Sequence, residues 1–357
     1  MCNRLVKVME LPKATVIIVN TNELHHLEKC LPTVVNQRYG EYEVVVVDNG
    51  STDGSVEYIE AEFPQVRVIR NSTNLGYAGA NNVGFQHSSG EYLVVLNPDT
   101  KVEAGWLQEL VLALENDPSA GLATSKILLM DDSQHINTCG NQISLTGITV
   151  CRGLGQSADM YDQPEVVPAV SGAAFAIKRA VLEHIGGFDE LYFMTYEDTD
   201  LSLRAALAGY KCIYVPTSVA YHKYAFRFSA QKCFLEERNR LLSWLKVFRW
   251  PTLIALSPPL ILGEMLAWGY ALMRGPAYVR SKIQSYLWIM RNWRQVTEAR
   301  RRTQALRQVQ DRHVLRQLSH ELTLTGVVSQ RVAAILEAFI HPALWAWVRV
   351  CQAVVVW

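Results

Sequence analysis

The sequence predicts an α/β protein: a mainly parallel sheet with helices on both faces, followed by a helical C-terminal region. Three observations carry this. Short β-branched runs alternate with helical patterns over the first 215 residues. The first two runs end in Asn-, Asp- or Gly-containing turns. Beyond residue 229 the strand signal fades, while helical, apolar and basic patterns continue.

Residues 15–19 (TVIIV) and 44–47 (VVVV) read as strands, closed by Asn20-Thr21-Asn22 and Asp48-Asn49-Gly50. Between them Leu24, Leu27, Leu31, Val34 and Val35 repeat at helical spacing. Residues 55–62 read as a helix, 66–69 as a strand, and the small residues from Gly76 open another helix. Residues 92–96 make the fourth strand. The pattern resumes with a strand at 172–178, a helix at 179–185, and a helix at 198–208 ended by Gly209. A strand at 211–215 is closed by Pro216, and 231–248 is helical. A boundary near residues 230–250 separates a domain, 1–245, from a region, 246–357. In parallel sheets ligands bind beyond the carboxyl ends of the strands. The polar residues closing each strand are therefore the candidates for chemistry.

The 357 residues are 49% hydrophobic and 19% charged, which supports a sizeable core and excludes a disordered chain. The net charge is zero, but unevenly spread. Residues 1–200 hold 12 Lys/Arg against 27 Asp/Glu, and residues 201–357 hold 22 against 7. Halves of opposite sign face different partners. The seven cysteines are an odd number with no C-x-x-C, so neither a zinc site nor a disulfide framework is expected. Residues 1–12 lack the apolar core of a secretory signal, and the expected compartment is the cytoplasm.

Five constellations stand out. Asp48 ends a strand before Asn49-Gly50-Ser51-Thr52-Asp53-Gly54-Ser55. A turn and helix cap explain part of this motif, and Asp48 can in addition accept hydrogen bonds from a base or ribose. Asn74 to Phe85 is glycine-rich; Gly76 and Gly79 suit either close packing on the sheet or a helix N-terminus facing a diphosphate. Asn97-Pro98-Asp99 reads as a turn, or as a strand-end carboxylate for Mg²⁺ or Mn²⁺. Glu197, Asp198 and Asp200 crowd one helix start beyond what capping needs, and such crowding raises one pKa and prepares a general base. His222 follows the last strand and is placed to reach a metal at Asp99.

Taken together, Val19-Asn20-Thr21-Asn22, Asp48 to Asp53, Asn74 to Phe85, Asn97-Pro98-Asp99, Gly172-Ala173-Ala174-Phe175, Gly187-Phe188-Asp189-Glu190, Glu197 to Asp200 and His222 resemble the family 2 glycosyltransferases of GT-A fold. Rhamnosyltransferase-like enzymes of cell-surface polysaccharides are the nearest branch. The resemblance covers residues 14–245. It implies a Rossmann-like GT-A sheet and a nucleoside-diphosphate sugar donor, with dTDP-rhamnose favoured. Galactofuranosyl, N-acetylhexosaminyl and mannosyl transfer remain alternatives. It implies that Asn20 and Asp48 hold the nucleoside and that Asn74, Gly79 and Asn81 line the donor site. Asp99 then holds the metal beside the donor, with His222 as a further ligand. Asp198 is the base of an inverting displacement, with Glu197, Asp200 and Arg204 on the acceptor side. One departure is Asn97 where the family has a first aspartate. Another is Lys246 in Lys246-Val247-Phe248-Arg249-Trp250, where processive synthases carry Gln, which argues against a polymerase.

Residues 250–273 are apolar apart from Glu264, and their prolines favour interfacial helices over a simple span. Arg274, Arg280, Lys282, Arg291, Arg294, Arg300, Arg301, Arg302, Arg307, Arg312 and Arg316 follow, suiting anionic headgroups or a lipid diphosphate. A second apolar stretch holds Trp345, Trp347 and Trp357. The expected protein is peripheral or monotopic on the inner face of the cell membrane, takes a lipid-linked or glycan acceptor, and has homo-oligomerisation open to it. The alternative for 250–273 is a helical core packed on protein. A nicotinamide dehydrogenase is excluded because no G-x-G-x-x-G follows the first strand. A nucleic-acid binder is disfavoured by the acidic first half.

Overall fold

The computed structural model describes residues 11–224, 228–322 and 330–357. Cys2 and most of the stretch used for the export argument lie outside the described residues.

The chain runs β1 (Ala14–Asn20), α1 (Leu24–Val34), β2 (Tyr42–Asp48), α2 (Ser55–Glu62), β3 (Arg67–Arg70), α3 (Gly76–Gln86), β4 (Tyr92–Leu96), β5 (Thr100–Val102) and α4 (Trp106–Asn116). It continues through β6 (Ala120–Leu129), β7 (Asp132–Thr138), β8 (Asn141–Ile143), β9 (Thr149–Cys151), β10 (Glu165–Val167), β11 (Ala174–Lys178), α5 (Arg179–Ile185), α6 (Glu197–Leu207) and β12 (Lys211–His222). Helices follow: α7 (Ala230–Val247), α8 (Trp250–Ala255), α9 (Ser257–Arg274), α10 (Pro276–Arg291), α11 (Trp293–Ala305), α12 (Asp311–Leu315) and α13 (Gln330–Val354).

The central sheet has the order β10-β12-β6-β11-β4-β1-β2-β3. Strands β3, β2, β1 and β4 are mutually parallel, as the βαβ pattern requires. Strand β11 runs antiparallel to both β4 and β6, and β12 is again parallel to β6. The β-branched runs are buried because both faces of the sheet are covered. Val16 and Ile18 point into one core with Leu27, Leu31, Trp106 and Leu110; Ile17 points into the other with Phe85, Phe175 and Leu201. Helix α3 lies hard on β1: a Cβ at Gly84 would sit 2.4 Å from Ile17 Cγ2.

One expectation needs correction. The last strand does not stop at Pro216. It passes through a register shift between Val215 and Val219 and continues to His222. Proline has no N–H to give a ladder, so the irregularity is where it is tolerated. The regions on either side of the boundary at 230–250 pack against each other. Leu256, Val314, Leu315 and Leu318 share a core with Leu203, Ala206 and Leu207 of α6.

Helix α7 joins the two parts through buried charge. Lys246, 1% exposed, donates to Asp189 Oδ2 at 2.5 Å and lies 2.7 Å from Asp200 Oδ1. Burial pushes the Asp200 carboxyl up, but Lys246 and then Arg204 more than offset it, holding it below the usual range. Its depressed pKa contributes stability above the unfolded-state value, lost as pH falls through the folded one. Lys246→Met strips Asp189 of this partner and leaves Asp200 with Arg204 as its remaining cation. It should lower unfolding free energy by about 3–5 kcal/mol near neutral pH, read by urea denaturation, and the deficit should shrink in acid.

Candidate active site

The first cluster lies where β1 and β2 end side by side, with Asn20 opposite Asp48 in the register. Asn20 is fully buried. Its Nδ2 donates to Asp48 Oδ1 (2.8 Å), Ser51 Oγ (2.9 Å) and Ser55 Oγ (2.7 Å). Asp48 Oδ2 accepts from the N–H groups of Gly50 and Ser51, which shapes the turn. Asn22 Oδ1 accepts from Thr52 N, and Asp53 Oδ2 accepts from Leu24 N. The two loops therefore clamp each other into one rigid floor. Asn49, which sequence reasoning passed over, extends the floor to α3 by donating to Gly76 O and accepting from Asn71 Nδ2.

The second cluster is Asp99 and His222. Strand β12 pairs with β5 so that His222 faces Thr100, and Lys223 N donates to Asp99 O. The imidazole Nε2 lies 3.2 Å from Asp99 Oδ1. Its other nitrogen, Nδ1, lies 2.8 Å from Asn137 Oδ1. Asn137 thereby fixes the plane of the ring and aims Nε2 at the carboxylate. Asp99 Oδ1 is buried and makes no hydrogen bond. Burial would raise the Asp99 pKa, but His222 and then His26 outweigh it and hold the carboxyl below its usual value. A carboxylate oxygen and an imidazole nitrogen 3.2 Å apart are ligand types that a divalent cation takes, and the Asn137–His222 contact is the support that a metal-binding histidine normally has. Nearby Glu23, His25 and His26 bring ligand atoms within 4.8 Å of one another, a group that the sequence reading did not identify.

The third cluster surrounds Asp198 at the start of α6. Asp198 Oδ2 accepts from Gly172 N (2.8 Å) and Asn141 Nδ2 (3.0 Å), and Oδ1 accepts from Thr199 N (2.6 Å). Burial outweighs these donors and raises the carboxyl above its ordinary range. Glu197 is raised further, by burial and then by the Asp198 charge, and its Oε2 has no hydrogen bond. Phe193, Thr195 and Tyr196, just before the helix, all have positive φ (63°, 65°, 64°). Such non-glycine geometry costs energy unless its surroundings enforce it. Helix α7 enforces it. Asn239 Nδ2 donates to the carbonyls of Tyr192, Met194 and Thr195, and Arg238 donates to those of Leu191 and Tyr192.

Comparison with known proteins identifies the family and the fold. A family model described as Glycosyl transferase family 2 matches residues 15–186. The N-acetylglucosaminyl-diphospho-decaprenol L-rhamnosyltransferase of Mycobacterium tuberculosis (strain ATCC 25618 / H37Rv) is 30% identical over 233 residues, covering 58% of this chain and 75% of that protein. The chain belongs to glycosyl transferase family 2. The Sinorhizobium fredii protein y4gI is also 30% identical, over 59% of this chain, but the match spans only 24% of its length. Among solved structures, GalNAc-T7 with UDP, GalNAc and Mn²⁺ superposes with a TM-score of 0.56 at 21% identity, over 66% of this chain and 48% of that one. Staphylococcus aureus TarS 1-349 with UDP-GlcNAc superposes at 0.55 and 16% identity, over 95% and 88%. These neighbours establish the GT-A fold.

Within this family 2 fold, several expected site residues turn out to be interior. Asp200 and Arg204 form a buried ion pair, Nε to Oδ2 at 2.8 Å, and Arg204 also donates to the carbonyls of Ile185, Gly186 and Gly187. These contacts brace the scaffold. Glu197, also placed on the acceptor side from sequence, is buried. Gly79 packs against Leu75 and faces Glu190, and Asn81 is fully buried with Nδ2 on Tyr77 O. Asn74 caps α3 by accepting from Gly76 N, while Phe193 O takes the Ala78 N–H. The start of α3 is thus occupied by protein groups rather than left open for a diphosphate.

Asn141→Ala would remove one donor to the ionised Asp198. The carboxyl should then titrate at still higher pH, read by carbon NMR of the side chain, while Gly172 N keeps its position.

Proposed function

We propose that the protein is an inverting, metal-dependent glycosyltransferase that moves a sugar from a nucleoside diphosphate to a lipid-linked or glycan acceptor in cell-surface glycan synthesis. Rhamnose from dTDP-rhamnose is the favoured donor, supported by the Mycobacterium relative. The observation that carries the reading is the juxtaposition of the buried Asp99 Oδ1 and His222 Nε2, 3.2 Å apart at the strand ends. That arrangement suits Mg²⁺ or Mn²⁺ beside a diphosphate.

The nucleoside lies over the floor built by Asn20 and Asp48. A bound divalent ion would be held by Asp99 and His222, and it supplies charge neutralisation for the departing diphosphate. Asp198 accepts the proton of the acceptor hydroxyl as that oxygen attacks the anomeric carbon from the side opposite the leaving group. Burial raises its pKa, making it more basic than an ordinary carboxylate, which suits a general base. Asp198→Asn should lower turnover by ~10²–10⁴-fold with donor binding retained. Asp99→Ala should abolish the Mn²⁺ dependence of donor binding. Near wild-type turnover in the first variant, or unchanged metal dependence in the second, would refute the assignment.

The same reading places the C-terminal helices on an anionic membrane surface at the cytoplasmic face. Helices α8, α9 and α10 expose Ile254, Ile261, Leu272, Ile283 and Met290, and α13 exposes Ile335, Phe339 and Trp345. Residues 331–354 are long and apolar enough to cross a membrane by length and composition, with 17% of the most apolar window buried. Arg274, Arg280, Arg291, Arg294, Arg331 and Arg349 are exposed. Not every cation predicted to meet lipid does so. Lys282 is buried between Glu237 and Glu264, Arg300 binds the carbonyls of Leu245 and Phe248, and Arg307 pairs with Asp311. Each remaining cation near an anionic surface contributes about 1 kcal/mol. Flotation should show binding to phosphatidylglycerol vesicles that weakens as salt rises, and no binding at any salt would refute the placement.

A further inference from the structure

A cavity of about 340 Å³, within the size range of ligand sites, opens between α7, α9 and the β8–β9 hairpin. Its two ends differ in chemistry. The outer wall is Met265, Gly269 and Met273 of α9, and both methionines are about two-thirds exposed on the apolar face of that helix. The inner end is formed by Thr149, Tyr196 and Glu236. Tyr196 OH donates to Gly147 O and accepts from Thr149 N, which fixes the ring against the hairpin. Thr149 Oγ1 is buried without a hydrogen-bond partner.

The inner end adjoins the proposed base. Tyr196 directly precedes the acidic start of α6, and Asn141 of the same hairpin donates to Asp198. The Glu236 carboxyl is pushed up to about 7 by burial, opposed by Lys232 and reinforced by Glu237 and by the charge of Asp198 itself. The groove therefore runs from an apolar surface to a polar end beside a catalytic carboxylate. An occupant must be apolar at one end and carry hydroxyls at the other.

We propose that this groove holds the first carbons of the hydrocarbon chain of a lipid-linked acceptor, and so delivers the acceptor's hydroxyl-bearing head to Asp198. The inference rests on the transferase reading and deepens it. Because the mouth lies on the face that α9 turns outward, the chain passes from a bilayer into the groove without crossing water. Binding energy gained there orients the distant head group, a use of remote contacts that raises turnover as well as affinity.

Gly269 offers a clean test, because a Cβ there meets nothing within 4 Å. Gly269→Trp fills the groove while leaving the helix backbone undisturbed. The full chain, in lipid–detergent micelles, is irradiated with a diazirine-bearing undecyl phosphate, and labelled peptides are mapped by mass spectrometry. Label is expected on residues 148–150 and 265–273. It should be competed by plain undecyl phosphate but not by inorganic phosphate, and should fall at least tenfold in the variant. Label confined to the outer faces of α9 and α13, or undiminished in Gly269→Trp, overturns the proposal. Thermal shift with dTDP-sugars and Mn²⁺ is run on both proteins. A wild type that binds no sugar nucleotide defeats the transferase reading, whereas normal donor binding with an unlabelled groove defeats only the acceptor site.

Discussion

The ammonium of Lys246 sits between the carboxylates of Asp189 and Asp200, and the catalytic half of the molecule depends on that placement. Asp189 belongs to the loop before the acidic helix, Asp200 to the helix itself, and Lys246 to the helix that leads into the C-terminal region. Three separate elements share one buried charge. With α7 docked by this contact, Asn239 and Arg238 reach the carbonyls of the preceding loop and hold three residues in left-handed geometry. That geometry turns the start of α6 so that Asp198 meets Gly172 N and Asn141. The base is thus oriented by charge and hydrogen bonds lying behind it.

The sheet does the complementary work for the donor side. Parallel β1, β2 and β4 end on one edge, which brings Asn20, Asp48 and the Asn97-Pro98-Asp99 turn together. His222 arrives from the opposite direction in sequence, because β12 outlasts its proline and pairs with β5. Asn20, Asp48, Asp99 and His222 therefore sit at or beside strand ends, while the surroundings of Asp198 are built from a hairpin and a helix start.

Much of this was legible in the residues. Strands β1, β2 and β4 announce themselves as β-branched runs because both faces are buried, and α1 shows its stripe because one face is. Residues 100–171 are uneven: α4 carries an apolar stripe and β6 an apolar run, but the other strands carry little signal. Strands β5, β8, β9 and β10 are three residues long, too short for any period to register, and β7 is polar on its exposed turns. The candidate site divides the same way. Asp48, Asp99 and Asp198 lie at or just beyond element ends that the pattern predicts, whereas His222 ends a strand that runs past its predicted stop at Pro216. The burial of Asp200 and Arg204 was not legible, because the Asp200 carboxylate meets Lys246, which lies far away in sequence; the other partner of that lysine, Asp189, is 57 residues earlier. Asn137, Asn141 and Asn239 act only through tertiary contacts, so nothing local marks them. The basic run in the second half likewise mixes surface cations with others that the fold consumes on carbonyls.

Asn239 and Arg238 hold the stretch 191–195 before α6 by main-chain oxygens: Leu191, Tyr192, Met194 and Thr195 each contribute a carbonyl. Met194 and Phe193 meanwhile project outward. A grip on the backbone is indifferent to side-chain identity. Divergence can therefore rewrite what this loop presents to a passing substrate while α7 keeps its path unchanged, so substrate preference can drift in a lineage without a matching loss of foldability.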